Sequence, residues 1–486
     1  MAVPVGLARK SLGGGALFFF SVGASAPMTV VAGGMVATYA STGVVGVPAA
    51  FPVLTAALTL FSVGYVAMAR HVPHAGPFYA HVARGLGPGR GLAAAPLALL
   101  AYNAIQICLY GLLGVVVAGL LGGVWWHWAL AAWVAVALLG VLHVAVNARL
   151  LALLLVCEIA VVLLFDAAAF AHPAGGSVSV TPLLPASLAE NGVGGVFALS
   201  VAAFVGFESA LAYGEEARSH TAVARATFGS LLFIGLLYAA SSWAMAVAVG
   251  PDRVVEVARD PSAGIPMSTL NQHYGGLVAV LASLLLVSSI FAAMLSFHHT
   301  SARYVFVLSR ERVLPSALGR IGRGTRAGAP IGGSLLQTAI AFLVIVASVL
   351  TGADPLAVLF TQLSAVAAIG VMVLMVAASL AALRFYRRGG GTNESSWVRV
   401  GAPTLALVAV GLILAVTVLN LDSMLGTAPG SPAVLILPGL VAGAGLGGLV
   451  WAWVVRRRRP ATFRNVGLGE PEPLAELEHH LAAVDV

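Results

Sequence analysis

Charge is the scarcest ingredient of this 486-residue chain: 9% of its residues are Asp, Glu, Lys or Arg, and it holds one lysine, Lys10. A soluble globule of this length needs a charged, solvated surface, so the scarcity excludes one. Two cysteines, Cys108 and Cys157, exclude a disulfide framework. Both fall inside long apolar stretches and are expected to pack as small buried hydrophobes. Segments of about ten alternating residues, the mark of a transmembrane barrel, give way to much longer apolar runs. There is no basic, aromatic-interleaved soluble region to bind nucleic acid. Nor does any nucleophile and base, or any metal-ligand cluster, share one depth in the way an intramembrane enzyme would need.

What fills the chain is apolar: 60% of residues, with a mean hydropathy of +0.98. A bilayer core takes about 20 apolar residues per helix. Twelve such runs are present, near 16–38, 45–67, 92–121, 124–146, 150–171, 193–213, 224–249, 276–300, 331–352, 355–383, 400–420 and 432–455. The expectation is an all-α polytopic membrane protein with 12 transmembrane helices in a lipid bilayer, the first run being a retained span rather than a signal peptide. With the N terminus inside, the cytoplasmic segments collect Arg9, Lys10, Arg70, Arg84, Arg90, Arg149, Arg218, Arg225, the cluster from Arg303 to Arg326, Arg384, Arg387, Arg388, Arg399 and Arg456 to Arg459 with Arg464, while Arg253 and Arg259 lie outside. That asymmetry puts both termini in the cytoplasm. The acidic stretch EPEPLAELEHH near the C terminus reads as a solvated tail.

Two spans are interrupted. In the first, Pro27 cannot donate to the carbonyl of Gly23 and pushes Ala26 from helical geometry. Pro27 also suits the first position of a new half-helix. The N–H groups of Met28 and Thr29 would then project from a positive half-dipole, with the Ser25 hydroxyl beside them, toward a carboxylate. Carbonyls orphaned around Ser21 to Gly23 would attract an ammonium or a metal cation. The alternative is that Pro27 merely kinks a continuous helix. In the sixth span Gly206 permits a matching break that exposes carbonyls of Ala203, Phe204 and Val205.

Breaks at corresponding places of two halves point to a transporter of inverted repeats with its site between them. Residues 1–213 would then hold the first repeat, helices one to five to about 171, and the start of the second. Residues 193–383 would hold helices six to ten, 400–455 helices eleven and twelve, and 456–486 a cytoplasmic tail.

Acidic residues inside spans are costly and face a partner or cavity. Glu158 and Glu208 are candidates for ion coupling, Glu208 alternatively as a brace for the broken helix, and Asp166 is expected to be wetted near the outer end. Ser288 and Ser289 could complete a sodium site with carbonyls of the first span. Tyr102, Asn103, Gln106 and Tyr110 share one side of the third span, either lining a pathway or joining helices. His71, His74, His81, His298 and His299 read as packing rather than metal ligands.

Three stretches carry a resemblance. The loop MARHVPHAGPFYAHVARGLG, through Pro73, Ala75, Gly76 and Tyr79, resembles the cytoplasmic signature of the amino acid, polyamine and organocation transporter superfamily. Gly206, Phe207, Glu208, Glu215 and Glu216 resemble its sixth-span motif, and Arg303, Arg310, Pro315 and Pro330 the loop after its eighth span. The resemblance implies a leucine-transporter-type fold of five plus five inverted helices with discontinuous helices one and six, moving amino acids or related amines by alternating access. It also implies that the substrate carboxylate meets Gly23, Ala24, Ser25, Ala26, Met28 and Thr29, and its amino group carbonyls of the first and sixth spans, with Phe204 or Phe207 as an outer gate.

The chain departs from the pattern where Ala24 and Ala26 replace glycines, where Pro77 replaces the second glycine of the loop and where Ala67 stands for an acidic residue. The fifth span lacks the lysine that some relatives use in place of sodium. The expected function is proton-coupled symport or exchange in a bacterial inner membrane, a setting suggested by the Arg-rich, Ala-rich composition. The alternatives are sodium-coupled symport or a non-transporting sensor, and neither enzymatic activity nor a cofactor is expected.

Overall fold

The computed structural model describes residues 12–142, 148–189, 191–260, 264–322, 326, 328–427 and 430–469. Inside a bilayer only an element that satisfies its own backbone can span, and these apolar runs all do so as helices. They are α1 (Gly14–Thr42), α2 (Val47–His71), α3 (Pro88–Leu121), α4 (Trp125–Gly140), α5 (Ala148–Ala171), α6 (Val193–Ala212), α7 (His220–Val249), α8 (Gly276–Arg310), α9 (Ile331–Leu350), α10 (Pro355–Arg387), α11 (Trp397–Leu419) and α12 (Pro432–Arg458). A short helix, Pro77–Leu86, lies between α2 and α3. Among the described residues eleven helices are long and apolar enough to cross a membrane. The exception is α4: the sequence predicts a span to 146, but its helix closes at Gly140, and residues 143–147 lie outside the described set.

Packing sorts the helices into centre and rim. The apolar segment of α6 is 83% buried and that of α10 is 78% buried, against 28% for α11 and 17% for α12. Leucines on α12 such as Leu435 and Leu446 stand largely exposed, which suits lipid and not water. α3 runs through the middle, packed by α8, α10 and α12, while α7 packs on α1 and α2.

Both described ends reach one face of the bundle. The Leu12 N–H bonds the carbonyl of Glu216, and the N–H of Gly467 bonds the Glu311 carboxylate. This is the face of the loop after α2 and of the C-terminal end of α8. The tail is not solvated from its start: the helix Pro460–Arg464 leads to Val466, which is 2% exposed. Arg9, Lys10 and the acidic stretch from Glu470 lie outside the described residues.

Cys108 is buried as expected, whereas Cys157 is exposed on α5, since one helix face must meet the surroundings. Asp166 is not wetted. It is 6% exposed and accepts a hydrogen bond from Ser241 Oγ of α7 at 2.9 Å.

Candidate functional site

The first break follows from one left-handed residue. Ala26 takes φ 44° and ψ 72°, ending the first half of α1, and Pro27 opens the second half as its first residue. The turn swings the Ala26 N–H back onto the carbonyls of Val22 at 3.1 Å and Gly23 at 3.2 Å. Ser25 Oγ donates to the Ser21 carbonyl at 3.2 Å. The carbonyls expected to be orphaned from Ser21 to Gly23 are therefore already engaged, because an αL cap supplies its own donor. Tyr238 Oη of α7 donates to the Ser25 carbonyl at 2.7 Å, tying down the turn. Beyond it the N–H of Thr29 faces Ser289 Oγ of α8 at 3.4 Å, and the buried Thr29 Oγ1 has no hydrogen-bond partner.

The second break spans Val205 to Glu208. Gly206 adopts φ 114°, and a Cβ on it would stand 2.7 Å from Ala24 Cβ and 3.0 Å from the Ala24 carbonyl carbon, so the α6 break packs directly against α1 beside its own break. Glu208 folds back on its own turn. Its carboxylate accepts the Gly206 N–H at 3.0 Å and Tyr102 Oη of α3 at 2.9 Å, and the residue is 1% exposed. Those bonds make Glu208 a brace between the α6 break and α3.

A cavity of about 60 Å³, room for roughly four waters, opens beside both breaks. Ala24, Ser25, Ala26 and Thr29 line it from α1, and Ala203 and Val205 from α6. The other residues predicted for the site stand back. Met28, Phe204, Gly206 and Phe207 are buried behind the lining, and Gly23 lies in the helix below. Phe204 sits in an aromatic cluster with Phe51 and Tyr238, each about 6.0 Å away, rather than over the cavity.

Sequence reasoning missed the far wall, formed by Ile105, Cys108 and Leu109 of α3, Phe297 of α8, and Phe360 and Ser364 of α10. The polar side of α3 joins helices instead of lining the cavity. Gln106 bonds Gln337 of α9 and stands 3.5 Å from His298 of α8, whose other ring nitrogen is 2.7 Å from Ser334 Oγ. Asn103 bonds within its own helix.

The remaining coupling candidates meet where α1, α5 and α8 converge. Glu158 is 2% exposed, and Ser288 Oγ donates to its carboxylate at 3.4 Å. The next residue, Ser289, holds the Thr29 N–H.

Toward the face that carries both ends, a polar lattice closes the bundle. Glu215 holds Arg310 through two bonds of 2.8 and 3.0 Å and accepts the Ala75 N–H at 3.0 Å. Burial alone would raise Glu215, but the Arg310 bonds and charge outweigh it and hold its pKa below the usual 4.5. Glu216 binds Arg303 at 2.8 and 3.3 Å, with the guanidinium 4.3 Å over the Tyr213 ring.

Glu311 accepts from Tyr79 Oη and from the N–H groups of Gly467 and Gly469, both at 2.9 Å. His74 Nδ1 accepts the Gly76 N–H, so Nε2 carries the proton that it donates to Glu311 at 3.0 Å. Burial pushes Glu311 up, and these donors, His74 first, bring it below the usual value. Burial pushes His81 down to about 3.

A bundle of apolar helices with two touching mid-helix breaks, a cavity beside them and an ion-paired floor is a membrane transporter's architecture. The chain belongs to the amino acid permease family, whose model matches residues 12–454, and so to the amino acid, polyamine and organocation superfamily. No curated protein matches the sequence. Among solved structures it is similar to the Eremococcus coleocola manganese transporter in complex with an aromatic bis-isothiourea compound. The two are 16% identical with a TM-score of 0.57, over 94% of this chain and 99% of that one. Two mutant forms of that transporter align over the same shares at 15% identity, with TM-scores of 0.53 and 0.52. At that identity the likeness is one of fold.

Proposed function

We propose that this protein is a secondary active transporter that carries an amino acid or a related amine by alternating access, as a proton-coupled symporter or an exchanger. The observation that carries the reading is the contact of the two breaks at Ala24 and Gly206 beside a cavity. The substrate carboxylate is received at the start of the second half of α1, where Thr29 Oγ1 is unpartnered and Pro27 leaves the N–H of Met28 without competition from a preceding turn. The ammonium turns to carbonyls of the α6 break around Ala203 and Val205.

Helices α1–α5, to about 171, and α6–α10, 193–383, form the two inverted repeats, with α11 and α12, 400–455, added at the rim and 456–486 as the tail. Both described ends on one face support an even number of crossings. The basic residues of that face favour the cytoplasm of a bacterial cell, with the protein in its inner membrane. The lattice of Glu215, Glu216 and Glu311 closes the cytoplasmic side, so release inward requires these bonds to part.

Glu158 is the proton carrier in this reading, since it lies one residue-to-residue step from the first break through Ser288 and Ser289. The same hydroxyls and carboxylate are hard oxygen donors, which is what favours sodium coupling as the second reading. Uptake by purified protein in liposomes across amino acids and polyamines, under imposed pH or sodium gradients, decides between them. No uptake or exchange under any condition, with binding retained, would leave a sensor and sink the transporter reading.

A further inference from the structure

We infer that the substrate is an amino acid with a short, uncharged, apolar side chain; the inference rests on the transporter reading above. Among the described residues lining the cavity none carries a charge. A lysine, an arginine or a polyamine would place a second cation there, and its neutralisation needs a buried carboxylate in contact. The carboxylates nearest in the fold are committed elsewhere and stand outside the lining: Glu208 to Gly206 and Tyr102, and Glu158 to Ser288. A glutamate or aspartate would need a second cation, and the buried Arg303 is held by Glu216.

The polar atoms on the walls divide the cavity into two ends. Thr29 Oγ1, in the α1 break, is buried and without a partner, so it awaits a polar group. On the opposite wall Ser364 Oγ donates to Cys108 Sγ at 3.4 Å, and Cys108 donates to the Ile105 carbonyl at 3.1 Å, so both side-chain donors at that end are already engaged. The remainder there is hydrocarbon, from Ile105, Phe297 and Phe360. A ligand with one zwitterionic end and one apolar end matches this division. The whole cavity measures about 60 Å³, so beside the zwitterionic end only a few carbons fit, bounded by the rings of Phe297 and Phe360.

The test is exchange of radiolabelled L-alanine by the purified full chain in liposomes, with unlabelled competitors at hundredfold excess. Glycine, alanine and valine should compete, whereas lysine, glutamate, putrescine and phenylalanine should not. Widening the apolar end by Phe360→Ala, or by the milder Ile105→Val if the first fails to fold, should raise leucine exchange relative to alanine about tenfold. Competition by lysine or putrescine would overturn this inference while leaving an amine transporter standing, with Phe297 and Phe360 then serving a cation through their ring faces. Exchange of no competitor at all, by protein shown to be folded, would remove the transporter reading and this one with it.

Discussion

Gly206 and Ala24 meet so closely that no side chain fits between them: a Cβ on Gly206 would stand 2.7 Å from Ala24 Cβ and 3.0 Å from its carbonyl carbon. The φ of 114° at Gly206 is itself one that other residues rarely adopt. Gly206→Ala therefore combines strain of about 1–3 kcal/mol with a clash against backbone. The expected outcome is a lowered thermal midpoint in detergent and transport reduced at least tenfold. A variant that transports normally would show that the breaks need not touch.

Glu158 is the only carboxylate that contacts the serine pair facing the first break among the described residues. Glu158→Gln keeps the shape and a hydrogen-bond acceptor for Ser288 while removing the exchangeable proton. Substrate exchange without a gradient should persist, and accumulation driven by a pH gradient should vanish. Retained pH-driven accumulation would take Glu158 out of the coupling role.

Both breaks were legible because they rest on local backbone chemistry: a proline cannot donate, and a glycine tolerates positive φ. The helices were legible because a bilayer imposes a length. Hydropathy does not separate a residue facing lipid from one facing a cavity, so Ile105 and Phe360 read like any other membrane residue. Partners far apart in sequence left no mark either. Glu208 is fixed by Tyr102, and Asp166 is dried by Ser241. The left-handed turn at Ala26, whose N–H satisfies carbonyls that a simple break would leave bare, is local but was not marked by a glycine. The early end of α4 at Gly140 lies in an apolar run that continues without a break in composition.

Two pH windows follow from the polar lattice on the face that carries both described ends. Glu215 and Glu311 lie below their usual 4.5, so the stability they lend is complete above about 4.5 and is lost as pH falls through their lower native values. His81, also brought down, to about 3, acts higher: an unfolded or opened chain takes up its proton near 6.5 while the closed state refuses it. That contribution is present above 6.5 and declines by about 1.4 kcal/mol per pH unit below it. Thermal unfolding should be flat from pH 8 to 6.5 and then fall, and His81→Leu should flatten the stretch from 6.5 to 5. An unchanged slope in that variant would assign the titration to another group.

Arg303 and Glu216 are both almost fully buried, with side chains 3% and 1% exposed. Removing the carboxylate strands the guanidinium, at about 3–5 kcal/mol. Glu216→Ala can relieve that cost by letting the face open. A cysteine placed at the buried Ala75, in protein with Cys157→Ala, should then label with a maleimide at least tenfold faster, and Glu216→Asp should fall between. Equal labelling would mean that the pair fixes the helices without governing access.

The C-terminal segment is built into the same closure. Gly467 takes φ 74°, and a Cβ there would lie 2.6 Å from Ala83 Cβ on the helix Pro77–Leu86, so the segment docks through its bare backbone. Its two N–H groups on Glu311 are bonds to a charge, worth about 1.5–3 kcal/mol each. Gly467→Ala should lift the segment away, leaving His74 and Tyr79 to hold Glu311 alone. Labelling at position 75 and the exchange rate should both rise, while half-saturation by substrate, set in the cavity, should shift less than twofold. Truncation after Arg464 should move both readouts in the same direction. If neither variant changes them, the docked segment anchors the tail without latching the gate.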